Sequence, residues 1–144
     1  MKIENFDFSK VPSGYPLCFN NQCPRHESCM HFVAGQHVTE KRTIGYAVYP
    51  SALKNGDCRF FREACEAQLA WGFKSLYQPL PKHLRAEARN YITWYLGSVG
   101  TYYRYQNGER KLTSEQQQYI KDLLHEYGYD GEPQFEHYEP SYNF

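Results

Sequence analysis

The sequence predicts a small α+β protein, and three observations lead to that class. The C-terminal half carries apolar residues at helical spacing, whereas residues 43–50, read as TIGYAVYP, combine β-branched and aromatic side chains as strands do. The first forty residues are rich in Gly, Pro, Asn and His and show no sustained period. At 144 residues the chain suits a single domain over 1–144, with a loop-rich part at 1–58 and a mainly helical part at 59–144.

Two helices are well supported by their apolar spacing and end signals. The stretch KHLRAEARNYITWYLG has its apolar residues mostly three or four positions apart, and Gly97 is placed to end that helix. The last helix should begin after Thr113, because Thr113 and Gln116 have the spacing of a capping box. Gly128 should end it.

The remaining elements are predicted from shorter patterns. Pro50 and the turn signal Lys54-Asn55-Gly56-Asp57 should end the strand at 43–50. We expect a short helix within residues 60–73 and a short hairpin around Asn107-Gly108. The acidic, aromatic end of the chain is expected to dock as an irregular strap through Phe135, Tyr138, Tyr142 and Phe144.

Charge is balanced overall but unevenly distributed. Residues 1–80 carry nine basic and seven acidic groups, residues 81–112 carry six and two, and residues 113–144 carry one and seven. The basic middle and acidic end indicate either a binding surface or two faces that attract each other within the fold. No apolar leader or stretch of eighteen apolar residues occurs, so we expect a cytoplasmic protein without a membrane span.

Three of the five cysteines fall within twelve residues, in the segment CFNNQCPRHESC. Thiols stay reduced in the cytoplasm, where a cysteine cluster more often indicates a metal site or catalysis than a disulfide. Cys18, Cys23 and Cys29 lie among polar residues, and Cys58 follows just past the predicted turn. The spacing favours a metal held by these four thiolates. The bound metal would also stabilise a segment that is poor in aliphatic residues.

The identity of the fourth ligand and of the metal stays open. After Cys58 the next candidate is His31, followed by His26 and His37, whereas Cys65 lies in an apolar run and is expected to be a buried thiol. No C-x2-C pair is present, so the pattern does not separate zinc from a [4Fe–4S] cluster. We place Zn²⁺ first and the cluster second, although four thiolates with no open position suit either one. The four-thiolate count indicates a closed, structural site and not a hydrolytic one.

Two other chemistries remain as alternatives. A reactive thiol would need a neighbouring base, which His26 or His31 could supply, but the sequence holds no recognisable catalytic motif. Tyrosines alternate with basic residues in YYRYQNGERK, so the predicted hairpin could bind nucleic acid by stacking and phosphate contacts. The residues proposed for that surface are Tyr103, Arg104, Arg110 and Lys111.

The cysteine spacing also resembles the three-cysteine part of CCCH zinc fingers, which bind RNA. Those fingers have their closing His four positions after the third Cys, where this chain has Val33. His31 is the nearest histidine, so RNA binding is not carried over from this resemblance.

A broader resemblance covers nearly the whole chain. The stretches CFNNQCP, CRFFR and YYRYQNGERKLTSEQQ, together with the closing Phe135-x-x-Tyr138, are similar to an uncharacterised bacterial family classed as a domain of unknown function. The resemblance implies that Cys18, Cys23, Cys29 and Cys58 act as one set, and it implies no activity. From the residues and the resemblance together we expect a non-enzymatic binding or regulatory module with a structural metal and an unidentified protein partner.

Overall fold

The structure is a computed structural model that describes residues 3–144, so Met1 and Lys2 lie outside it. It contains four α-helices and six short strands in the described residues, and the α+β class is confirmed. Residue contacts divide the chain into two compact units, residues 3–67 with 141–144 and residues 68–140. We call them the N-terminal unit and the helical unit. The expectation that residues 1–144 behave as a single domain stays a prediction.

The N-terminal unit is built from very short elements. In chain order these are β1 (Leu17–Cys18), α1 (Met30–Gln36), β2 (Ala47–Val48), β3 (Leu53–Lys54) and β4 (Asp57–Cys58), with 3-10 turns at Phe8–Lys10, His26–Ser28 and Pro50–Ala52. β1 pairs with β2 in parallel, and β3 pairs with β4 in an antiparallel hairpin. A small core fills the unit, consisting of Phe6, Leu17, Met30, Ala34, Ala64 and Tyr142.

Two predictions for this region need correction. Strand pairing within residues 43–50 is confined to Ala47–Val48, and the chain enters a 3-10 turn at Pro50. The helix expected within residues 60–73 is wrong, because Glu66–Trp71 forms a strand, β5. Its exposure largely alternates, with Glu66 and Gln68 exposed and Ala67 and Leu69 half-buried, which is the two-residue period of a strand.

The helical unit contains α2 (Lys82–Leu96), α3 (Val99–Gln106) and α4 (Ser114–Glu126). α2 and α4 are confirmed, with Gly97 following α2 at a φ of 115° and Thr113 forming the capping box with Gln116. The unit's apolar core includes Phe73, Leu76, Leu80, Ile92, Leu112, Ile120 and Leu124. None of the described helices has the length and apolar character needed to cross a membrane.

The hairpin expected around Asn107-Gly108 is wrong. The residues before this pair form α3 instead, and Asn107 follows its last residue. Ser98 caps the start of α3 by accepting a hydrogen bond from the Thr101 N–H. Tyr102 and Tyr105 lie three positions apart and are both buried, so one face of the helix belongs to the core.

The C-terminal segment is more regular than the expected strap. His137–Tyr142 forms β6, which pairs with β5 in a two-stranded sheet. Phe135 and Tyr142 are buried, Phe144 is half-buried, and Tyr138 stays exposed.

Candidate metal centre

All four predicted cysteine ligands line one cavity in the N-terminal unit. Cys18 ends β1, Cys23 lies in the following loop, Cys29 directly precedes α1, and Cys58 ends β4. The cavity holds about 30 Å³ of open space, enough for one or two particles the size of water. Four cysteines from four separate segments therefore border the same small space.

Cys18 is held by close packing of α1 on β1. A Cβ atom on Gly35 of α1 would lie 2.2 Å from the carbonyl oxygen of Cys18, far inside any allowed contact. Only glycine permits this approach without a shift of the backbone. The Cys18 backbone is thus set directly against the helix that follows Cys29.

Cys29 is fixed by backbone pairing with the segment before β5. It forms an isolated antiparallel bridge with Glu63. Beside this bridge, the Met30 N–H donates to the Arg62 carbonyl at 2.7 Å. The Ala64 N–H donates to the Ser28 carbonyl at 2.8 Å on the other side. Cys29 is buried, whereas Cys18, Cys23 and Cys58 are half-buried.

A tight hairpin presents Cys58. Asn55 and Gly56 form its turn with φ values of 52° and 76°, and two positive φ values are typical of a type I′ turn. Leu53 pairs with Cys58 across the hairpin. The sequence marked a turn here, and the structure adds the strand pairing that brings Cys58 to the cavity.

The loop that carries Cys23 is joined to this hairpin by a charged pair. Arg25 forms an ion pair with Asp57, the residue before Cys58. The guanidinium of Arg25 also lies over the Phe61 ring, 3.9 Å from its centroid. Both contacts hold the Cys23 loop beside the Cys58 strand.

His26 and His31 line the same cavity, and both are oriented through Nδ1. The Nδ1 atom of His26 lies 2.7 Å from the Cys23 carbonyl oxygen, and that of His31 lies 2.7 Å from the Pro16 carbonyl oxygen. A carbonyl can only accept, so each Nδ1 carries a proton, and in the neutral ring Nε2 is the nitrogen with the free lone pair. Histidines that bind metals are commonly oriented in this way, so both could serve as a ligand.

The thiols interact electrostatically. Burial raises the pKa of the Cys18 thiol above its ordinary value of 9.0, and negative charge on Cys29, Cys23 or Cys58 would raise it further. A hydrogen bond with the Asn20 backbone opposes these effects. A cation bound among these sulfurs would instead lower the pKa of the thiols, because it stabilises thiolates that otherwise repel one another.

The donor chemistry fits a thiophilic ion, but the sulfur positions do not yet form a coordination shell. Across residues 3–144, no group of three or more His, Cys, Asp or Glu side chains has an arrangement that could hold a metal ion as it stands. All five cysteines are free thiols. Metal binding would therefore require the loops around the cavity to draw the four sulfurs closer together.

The other predicted ligands lie elsewhere. Cys65 is half-buried in the segment before β5, so the expectation of a buried thiol is wrong, and it does not line the cavity. His37 is exposed, donates through Nδ1 to the Val33 carbonyl and contacts the Phe6 ring. Neither is placed to replace Cys58.

The residues proposed for nucleic acid binding do not lie on a hairpin. Tyr103 and Arg104 belong to α3, and Arg110 and Lys111 follow it. Lys111 forms an ion pair with Glu139 and lies over the Trp71 ring, so part of its charge is already compensated. Binding of nucleic acid through this set stays a prediction.

Comparison with known proteins places the chain among proteins without an assigned role. The family model described as "Family of unknown function (DUF6078)" matches residues 1–144. The chain belongs to this family. None of the curated proteins matches it, and neither does any solved structure.

Membership confirms the resemblance to an uncharacterised family and assigns no activity. The four cysteines that line the cavity were singled out from the sequence, whereas two features beside it, Gly35 and Arg25, were not. Gly35 gave no local signal, because the requirement for glycine arises only when α1 meets β1.

Proposed function

We propose that Cys18, Cys23, Cys29 and Cys58 bind one Zn²⁺ ion, and that the protein is a non-enzymatic binding or regulatory module whose metal is structural. The observation that carries this proposal is the shared cavity, which all four thiols line. Four thiolates saturate a tetrahedral ion and leave no position for water or substrate, which is the arrangement of structural zinc sites.

The composition of the N-terminal unit supports a structural role. Its strands are two residues long and its helix has seven residues, so backbone pairing and apolar packing supply little stability. The four cysteines come from β1, the following loop, the start of α1 and β4. One ion would cross-link all four segments, and such cross-links contribute directly to the free energy of folding.

The surface around the centre supports a binding role. Tyr49 and Phe60 line the cavity and also an outer groove of about 620 Å³, and their exposed fractions are 73% and 40%. Phe19, next to Cys18, is 55% exposed. Exposed aromatic side chains in one region are typical of surfaces that contact a partner. A metal that orders these loops would also order this surface.

Metal analysis of protein purified without air tests the proposal. We expect a colourless protein with one zinc per chain, and loss of the zinc on chelation should be accompanied by loss of structure in the N-terminal unit. Protein that neither retains zinc nor binds added zinc tightly would contradict the proposal. Zinc bound equally well after all four cysteines are replaced by serine would contradict the ligand assignment.

A [4Fe–4S] cluster for redox sensing or electron transfer is the second candidate, favoured by the all-thiolate donor set. Analysis of the same air-free preparation distinguishes zinc from a cluster, because a cluster would make the protein brown and would give iron and sulfide on analysis.

A further inference from the structure

The helical unit contains an open, positively charged cleft at the start of α2. Lys74, Lys82, Arg85 and Arg89 line it together with the neutral residues Tyr77 and Gln78, and no carboxylate is part of the lining. Its volume is about 360 Å³, within the roughly 300–1,000 Å³ of small-molecule sites. Four cations therefore share one small concave surface.

The two arginines are held in place by uncharged acceptors. Arg85 donates through Nε to the Leu80 carbonyl at 2.9 Å and through Nη2 to the Gln78 carbonyl at 2.7 Å. Arg89 donates through Nη2 to the Tyr103 hydroxyl at 2.7 Å, and its guanidinium lies near the Tyr102 and Tyr103 rings. These contacts orient both guanidinium groups without neutralising their charge.

The two lysines are uncompensated as well. Within residues 3–144, neither Lys74 nor Lys82 forms an ion pair. The carboxylate of Glu136 accepts a hydrogen bond from the backbone N–H of Lys74, but it does not line the cleft. The cleft as a whole therefore carries an excess of positive charge.

The acidic end of the chain engages other lysines. Glu139 pairs with Lys111, and Glu132 pairs with Lys121. Attraction between the basic middle and the acidic end therefore compensates the charge of Lys111. It does not compensate the charges of Lys82, Arg85 or Arg89. The positive charge of the cleft is therefore open to a ligand outside the chain.

We propose that this cleft binds the phosphate groups of a small phosphorylated molecule with two or more negative charges. Several convergent cations match a multiply charged anion, and guanidinium groups match the geometry of phosphate oxygens. α2 begins at Lys82, and its first backbone N–H groups receive no side-chain cap from Pro81, which adds positive potential at the same place. This inference concerns the helical unit and does not depend on the metal centre.

Calorimetric titration of the full chain with inorganic pyrophosphate, adenosine 5′-monophosphate and uncharged adenosine tests the proposal. We expect both phosphates to bind, adenosine not to bind, and the affinity to fall as salt is added. The variant K74Q/K82Q should bind the phosphates about tenfold more weakly or worse, because it loses two charged contacts without losing any internal bond. The matched control K41Q/K54Q removes the same charge from exposed lysines of the N-terminal unit and should bind as the natural chain does.

Each other outcome would overturn the proposal. Absence of phosphate binding, or equal binding by K74Q/K82Q and the natural chain, would show that the cleft is not the site. Equal binding would also be seen if the phosphates chelated a metal ion bound to the protein and did not enter the cleft. If only a short single-stranded RNA binds, and R104Q/R110Q weakens it, the ligand is a nucleic acid at the surface that follows α3.

Discussion

Arg25 and Asp57 form an ion pair that joins the loop of Cys23 to the hairpin of Cys58. The two residues are 32 positions apart in the sequence, and each lies one or two residues from a proposed zinc ligand. The stacking of Arg25 on Phe61 strengthens the connection. The pair should therefore affect how readily the two thiols converge on an ion.

Replacing Asp57 by asparagine should lower the zinc affinity by a factor of up to about five, because an exposed ion pair contributes at most about 1 kcal/mol. Competition with a chromophoric chelator measures the affinity. Asp130→Asn, at an exposed position of the helical unit, should leave it unchanged. Equal affinities for Asp57→Asn and the natural chain would show that the pair does not support the centre.

Replacing Gly35 by alanine should destabilise the N-terminal unit by about 1–3 kcal/mol, because the new methyl group would collide with the Cys18 backbone. Urea unfolding measures the loss, and the zinc affinity should fall with it. Gly100→Ala in α3 is the matched control, since its Cβ would meet only the Ser98 Oγ at 3.9 Å. That change should be neutral or stabilising by up to about 1 kcal/mol. A neutral Gly35→Ala would contradict the close packing of α1 on β1.

Replacing Cys58 by serine should abolish stoichiometric zinc binding, because one of four thiolates is lost and a hydroxyl is a poor substitute. Cys65→Ser should retain one zinc per chain, since Cys65 does not line the cavity. Zinc content after gel filtration checks both. If Cys58→Ser keeps its zinc, the variant Cys58→Ser with His31→Ala would reveal whether His31 has become the fourth ligand.

The helical unit should lose stability in alkaline solution. Burial raises the pKa of Tyr77 well above its ordinary value of 10.0, and the contact with the Tyr102 hydroxyl at 2.9 Å adds to the effect. The neutral phenol is favoured in the folded state, so its stabilisation is complete below about pH 10 and decreases above it, where only the unfolded chain ionises readily.

Urea unfolding across that pH range measures the loss, and Tyr77→Phe should reduce its pH dependence. The exposed Tyr46 is the control, because Tyr46→Phe should leave the dependence unchanged. A stability that does not vary between about pH 9 and pH 11 would contradict the proposed role of Tyr77.

Two Asn-Gly pairs show that one local sequence pattern can form two different structures. Asn55-Gly56 forms the tight turn of the β3–β4 hairpin, whereas Asn107-Gly108 ends α3, with Asn107 in a helical conformation and Gly108 at a φ of 80°. The same dipeptide suits both roles, because glycine adopts positive φ in a turn and after a helix alike. The buried rings of Tyr102 and Tyr105 favour the helix, and their burial becomes visible only once the core is assembled.

The sequence alone determined α2, α4 and the capping box at Thr113, because those signals lie within a few residues of one another. It also singled out four cysteines by their polar surroundings and spacing. The tertiary structure decided that the four thiols line one cavity, that Gly35 must be glycine, that residues 66–71 form a strand and that four cations share a cleft. Each of these depends on segments that meet from distant parts of the chain, and spacing along the sequence does not specify which segments will meet.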